Sequence, residues 1–144
     1  MERYHTLVLV KPSAVQRGLC GAILQRYEQA GLKLVKIKLE QFPAEVFAEL
    51  YREHQGKDFY PQLVQHMSSG PVCAFVLAGP KGIVEKVRAV NGATNPAAAL
   101  PGTIRGDYAV SMDPDNIVHA SDSYASAARE IAIFFPELRI TQNE

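Results

Sequence analysis

Thr6-Leu7-Val8-Leu9-Val10-Lys11-Pro12 carries the first structural message of the chain. Its five leading residues are apolar or β-branched with no polar alternation, which predicts a strand buried on both faces. Lys11-Pro12 ends the run, because proline has no N–H to extend a ladder. Beyond it the period changes. Cys20, Ile23, Leu24 and Tyr27 recur at helical spacing until Gly31, the mark of an amphipathic helix. Leu32 to Leu39 alternates apolar residues with lysines, predicting a strand with one wet face. A second helix follows Pro43, with Val46, Phe47, Leu50, Tyr51 and His54 on one side, and a shorter helical piece runs from Pro61 to Met67.

Val72 to Leu77 predicts a third strand, and Ile83, Val84, Val87 and Val90 mark a helix that ends at Asn91-Gly92. Asn116-Ile117-Val118-His119 is a short fourth strand. A last helix runs from about Ser123 to Phe134, with Ala128, Ile131, Ala132 and Phe135 as its stripe. This order predicts an α+β fold, a ferredoxin-like βαββαβ sandwich in which helices cover a four-stranded antiparallel sheet. A flavodoxin-like parallel sheet is the alternative that element order leaves open. The stretch 92–115 shows no clear period and holds Pro96, Pro101, Gly102, Gly106 and Pro114. Such a long loop in so short a chain is functional or disordered. Its hydroxyls, amide and single Arg105 favour an ordered, functional loop.

The 144 residues suit one domain, taken as 1–144, and 47% hydrophobic content is ample for a core. Fifteen Lys+Arg balance 15 Asp+Glu, so no basic excess favours duplex nucleic acid or an acidic membrane. A small anion held by a few local cations remains compatible. The two cysteines, Cys20 and Cys73, lie in apolar runs without metal-ligand or C-x-x-C spacing, as expected of buried thiols in a reducing compartment. No apolar run approaches the length of a membrane span, and the N-terminal residues enter the first strand without a signal-peptide pattern. A soluble cytoplasmic protein is expected.

Neither G-x-x-x-x-G-K-[ST] nor a post-strand G-x-G-x-x-G nor H-E-x-x-H occurs, which sets aside a P-loop or dinucleotide site. The strongest candidate is Asn116-Ile117-Val118-His119-Ala120-Ser121-Asp122-Ser123. Here a histidine follows a short apolar strand, and cap-forming residues then open a helix. Imidazole titrates near neutrality, so a neutral, nucleophilic fraction exists at cytoplasmic pH. Glu130, two helical turns beyond Ser123, could hold one ring nitrogen as N–H and leave the other with its lone pair. A structural histidine beside N-cap serines is the competing reading.

Asn-Ile-Val-His-Ala-Ser-Asp-Ser resembles the N-x-x-H-G-S-D-S signature of nucleoside diphosphate kinases. Further motifs follow the same order: Thr6 to Pro12 with Val15-Gln16-Arg17-Gly18, Ser69-Gly70-Pro71-Val72, Gly92-Ala93-Thr94-Asn95-Pro96, and Pro101-Gly102-Thr103-Ile104-Arg105-Gly106-Asp107. The resemblance runs from about Thr6 to Phe135. It implies transfer of the terminal phosphoryl group from a nucleoside triphosphate, chiefly ATP, to a diphosphate, by ping-pong through phosphorylated His119. Glu130 and Ser121 would orient the ring, with Tyr51 close by. Lys11, Arg88, Thr94 and Arg105 would contact phosphates, while Asn116 and Lys11 reach the sugar hydroxyl. Phe59 would stack on the base and, since every base has a π-face, tolerate them all. Mg²⁺ would arrive with the nucleotide, with no dedicated protein site.

The resemblance also implies a homo-oligomer, a hexamer in preference to a tetramer. It implies no specific nucleic-acid or membrane partner. Taken singly, Lys11 reads as a solvated strand end, Arg88 as part of a solvated face, and Phe59 as core. His5, His54 and His66 receive no role. Three departures from the family pattern stand out. Ala120 replaces the usual glycine, which is permitted where φ is negative. Asp58-Phe59-Tyr60 stands where Pro-Phe-Phe is usual. Met112 to Asp115 is one residue longer than the common spacing, leaving open what covers the second face of the base. A nucleotide-binding protein without turnover and a nucleic-acid binder are the competing functions.

Overall fold

The computed structural model describes residues 3–109 and 116–140. Among them four strands form one sheet: β1 (Tyr4–Val10), β2 (Lys33–Glu40), β3 (Val72–Gly79) and β4 (Val118–Ala120), in the order β2-β3-β1-β4. The helices are α1 (Pro12–Gln16), α2 (Cys20–Gln29), α3 (Ala44–Leu50), α4 (Tyr60–Ser68), α5 (Ile83–Asn91), α6 (Ile104–Tyr108) and α7 (Tyr124–Phe134). Every strand pairing is antiparallel. The expected α+β sandwich is the observed fold, and the parallel alternative is excluded.

Alternation along β1 divides the core. Val8 and Val10 join Phe75, Leu77, Val118 and residues of α2 and α5 on one face. Leu7 and Leu9 join Ala74, Val76 and residues of α3, α4 and α7 on the other. Both faces of the central strands are covered, so their apolar runs are nearly continuous.

Several sequence expectations shift in detail. Pro12 starts α1 immediately after the strand, a helix that the run ending at Lys11-Pro12 did not suggest. Its fixed φ and missing N–H suit a first helical position. The stripe assigned to a single second helix is split: α3 stops at Leu50, and Arg52–His54 forms a separate 3-10 turn. The stretch 92–115 is not wholly aperiodic, since it contains a 3-10 turn at Pro96–Ala98 and α6. The insertion at Met112 to Asp115 lies outside the described residues.

The buried face of α7 is Tyr124, Ala127, Glu130, Ile131 and Phe134, not the stripe through Ala128 and Ala132. Small alanines gave no contrast from which to fix the rotation. The true rotation carries Glu130 inward. β2 also departs from its expected one wet face. A bulge between Leu34 and Lys36 shifts its register, and Ile37 and Leu39 are 50% and 60% exposed at the sheet edge.

Cys20 and Cys73 are both free thiols. Burial pushes the Cys73 thiol up to about 12, so its thiolate fraction is negligible near neutrality. Native protein at pH 8 is therefore expected to react at Cys73 with a disulfide reagent at least about tenfold more slowly than unfolded protein. Equal rates would contradict this placement.

Candidate active site

β4 places His119 between Val118 and Ala120, which both enter the α2–α5 core. Strand alternation therefore turns His119 to the opposite face, toward α7 and Tyr51. There His119 Nε2 lies 2.9 Å from Glu130 Oε1. Ser121 Oγ donates to the same oxygen at 2.9 Å. Glu130 is only 5% exposed, so its carboxylate is held by these two donors rather than by bulk water. A carboxylate can only accept, so Nε2 carries the proton and the neutral ring keeps its lone pair on Nδ1. The Tyr51 ring meets the imidazole edge-on, with centroids 5.6 Å apart.

The segment before β4 is under backbone strain. Ile117 has φ +77, the sole positive value among the described non-glycine residues. The Val118 N–H donates to the Asn116 carbonyl at 2.9 Å, closing a γ-turn of the rare left-handed kind. Such strain persists only where surrounding contacts over-determine it. Here Ile117 is buried, and its carbonyl accepts the Lys11 N–H at 2.9 Å. The turn brings Asn116 to Lys11, whose Nζ donates to Asn116 Oδ1 at 2.6 Å. Lys11 is 3% exposed, which discards the solvated strand end. Asn116 Nδ2 donates to the Thr94 carbonyl at 3.3 Å.

Arg105 reaches in from α6 and binds three carbonyls: Nε to Asn116 at 3.1 Å, and the terminal nitrogens to Gly92 and Val118 at 2.8 Å each. It therefore frames the site as well as lining it. The 92–108 segment is packed tightly around it. A Cβ on Gly106 would collide with the Leu100 carbonyl, and one on Gly92 with Thr103. Arg26 on α2 clamps the far side, with Nη2 2.8 Å from Asp107 Oδ2 and Nη1 3.2 Å from the Gly102 carbonyl. The Gly102 N–H, followed by the Arg26 guanidinium, holds the Asp107 carboxyl below the usual carboxylate range.

These residues surround a cavity of about 370 Å³, lined by Lys11, Tyr51, Phe59, Arg88, Thr94, Arg105, Asn116, His119 and Glu130 among others. Of the ten expected site residues, only Ser121 is absent from the lining, and it touches the site through Glu130. Phe59 is 42% exposed rather than core. Arg88 leans on the Ala120 carbonyl at 3.5 Å. Ala120 is not among the positive-φ residues, so alanine is permitted in the usual glycine position. A larger recess of about 840 Å³ lies alongside and shares Arg88 and Asp122, but it does not include His119. The lining also includes Glu53, His54 and Asp122, to which no role was given from sequence. For His54 a signal existed, since it lies three residues from Tyr51, one turn along the same face.

The sequence pattern of the nucleoside diphosphate kinase family matches residues 4–140. The chain belongs to the nucleoside diphosphate kinase family. It is 54% identical over 133 residues to a nucleoside diphosphate kinase of Thermoanaerobacter sp. (strain X514), covering 92% of this chain and 97% of that one. Identity to the Thermus thermophilus nucleoside diphosphate kinase is 50% over 135 residues, covering 94% and 96%. Among solved structures, the nucleoside diphosphate kinase family protein from Babesia bovis superposes with TM-score 0.88 at 43% identity, over 98% of this chain and 95% of that one. The Aquifex aeolicus nucleoside diphosphate kinase gives TM-score 0.88 at 37% identity, over 93% and 96%. Membership in the nucleoside diphosphate kinase family carries the enzyme class: the chain is a phosphotransferase acting between nucleoside tri- and diphosphates.

Proposed function

We propose that this phosphotransferase works by ping-pong through His119. The observation that carries the reading is the 2.9 Å contact between His119 Nε2 and Glu130, which leaves the Nδ1 lone pair for attack. Nδ1 attacks the terminal phosphorus of a triphosphate, the bond from that phosphorus to the bridging oxygen breaks, and the diphosphate leaves with the electron pair. An N–P bond forms in its place, and the ring gains cationic character that the Glu130 carboxylate stabilises. In the second half, an acceptor diphosphate oxygen attacks the same phosphorus and Nδ1 recovers its lone pair.

Phosphoryl transfer depends chiefly on positioning and charge stabilisation. Lys11, Arg88 and Arg105 line the cavity that contains His119, which supports their role as the phosphate-binding cations. Thr94 would add a hydroxyl, and Asn116 with Lys11 would meet the sugar hydroxyl. Phe59 would stack on the base and accept any of the four. Among the described residues no group of three or more ligating side chains gathers. Mg²⁺ would be held chiefly by the nucleotide's own phosphate oxygens, where it would neutralise their charge. Mixing ATP with several nucleoside diphosphates is expected to yield each corresponding triphosphate with Mg²⁺ and little product without it. Nucleotide binding with no product would instead favour a site without turnover.

We take residues 1–144 as one domain, cytoplasmic, where free thiols persist, and homo-oligomeric, as a hexamer in preference to a tetramer. The bared Ile37 and Leu39 on the edge strand β2 support self-association, since such edges are normally blunted or covered. Ile37→Lys with Leu39→Glu is expected to reduce the molar mass measured by light scattering. An unchanged mass would remove β2 from the interface.

A further inference from the structure

α6 is too short to hold its own direction. It spans the five residues Ile104–Tyr108, and an isolated helix of that length does not persist in water. Tertiary contacts therefore set its rotation. Arg105 and Asp107 lie two positions apart, about 200° around a helix, so they stand on opposite sides of it. Arg105 lines the cavity that contains His119 and is 8% exposed. Asp107 lies on the outer side, with its side chain 31% exposed.

The outer side is gripped from α2. Arg26 projects from that helix, and its neighbours Ile23 and Tyr27 are fully buried in the core. Its Nη2 donates to Asp107 Oδ2 at 2.8 Å, and its Nη1 to the Gly102 carbonyl at 3.2 Å. Asp107 Oδ1 accepts the Gly102 N–H at 2.9 Å. Arg26, Asp107 and Gly102 thus close a ring of three contacts across the turn that leads into α6. The Arg26 guanidinium also lies over the Tyr108 ring, 5.2 Å from its centre. Arg17 adds a bond from Nη1 to the Tyr108 carbonyl at 2.9 Å. Arg26 and Asp107 themselves stand outside the cavity.

On the inner side Arg105 donates to the Gly92, Asn116 and Val118 carbonyls. A guanidinium that keeps three such bonds and also faces phosphate tolerates little rotation of the helix that carries it. We propose that Arg26 is a positioning residue for Arg105: paired with Asp107, it fixes the rotation of α6 from outside and so aims the guanidinium at the phosphates. This rests on the reading of Arg105 as a phosphate-binding cation. The Arg26–Asp107 pair is partly exposed and adds little to global stability. Its effect falls on catalysis.

The test measures kcat/KM for ATP and for a diphosphate acceptor in the intact enzyme, well below the melting transition of each variant. Arg26→Met keeps an apolar stem and removes the donors. It is expected to lower kcat/KM about three- to thirtyfold, the reach of a contact that acts through a neighbour. Asp107→Asn, which keeps an acceptor for the Gly102 N–H, should lower it in the same way. Arg26→Met combined with Asp107→Asn should be no worse than the more damaging single change, because both break one pair. In an Arg105→Lys background, Arg26→Met should change kcat/KM by less than about twofold, since no guanidinium fork remains to be aimed. A purely structural role would lower the melting temperature of Arg26→Met and leave kcat/KM at the wild-type value, and that result would overturn the proposal. Full additivity of Arg26→Met with Arg105→Lys would overturn it too. Where that combination does not fold, additivity between Arg26→Met and Asp107→Asn decides in its place. If Arg105→Lys itself leaves kcat/KM unchanged, the phosphate reading of Arg105 fails, an outcome distinct from a failure confined to Arg26.

Discussion

Replacing His119 by alanine is expected to lower phosphoryl exchange by at least about 10⁴-fold, because the attacking atom is lost outright. The fold should survive. His119 is partly exposed, and its side chain bonds Glu130 while its backbone pairs with Leu9. Alanine keeps the strand pairing, and Ser121 still bonds Glu130 Oε1. Steady-state exchange, measured beside a thermal melt, separates the two effects. A folded His119→Ala protein that retains exchange within about tenfold of wild type would place the nucleophile elsewhere.

Arg105→Ala is expected to damage stability and activity together. Its guanidinium satisfies three carbonyls on two segments around the site, Gly92 after α5 and Asn116 and Val118 at the entry to β4. Truncation leaves those carbonyls without their charged donor, at roughly 1–3 kcal/mol for each buried group. A loss of about 3–5 kcal/mol in unfolding free energy is expected, less than the sum because water can enter. Exchange at saturating nucleotide should fall about 10²–10³-fold through loss of the cation that would face the phosphates and a loosened γ-turn. Arg105→Lys should recover little, since a single ammonium cannot span three diverging acceptors. Denaturant unfolding and exchange rates measured on both variants decide this. A stable Arg105→Ala protein with normal exchange would show that Arg105 neither frames the site nor acts in it.

The dual role of Arg105 marks where sequence reading stopped. Its place in Thr103-Ile104-Arg105-Gly106-Asp107 marked it for phosphate contact, but nothing in the string showed three carbonyls converging on it. Long-range geometry is absent from local spacing. The strands and most helices were legible because hydrophobic period is a local property: β1 and β3 read as continuous apolar runs, and both proved covered on two faces. The rotation of α7 was not legible, because alanines on several sides flatten the contrast between its faces. That mattered, since the correct rotation buries Glu130 against His119.

Lys11 shows a different limit. As a lone cation before a proline it reads as solvated, yet it is buried against Asn116, 105 positions away. The zero net charge of the chain was equally silent about the cavity where Lys11, Arg88 and Arg105 meet. The Asn-Ile-Val-His segment read as four strand residues, but Ile117 is strained and only Val118 onward pairs. A β-branched residue at positive φ runs against local preference, and tertiary contacts with Lys11 and Arg105 decide it. His54 was legible in part: helical spacing put it beside Tyr51, but the 3-10 turn that carries it into the cavity lining was not.

The most direct test is the identity of the phosphorylated atom. Enzyme exposed to Mg-ATP labelled at the terminal phosphate should take up label that is stable in alkali and labile in acid. Phosphorus NMR and peptide mapping should then find it on Nδ1 of His119, the nitrogen opposite the one that Glu130 holds. Label on Nε2, label on another residue, or a folded and active enzyme that takes up none would contradict the account.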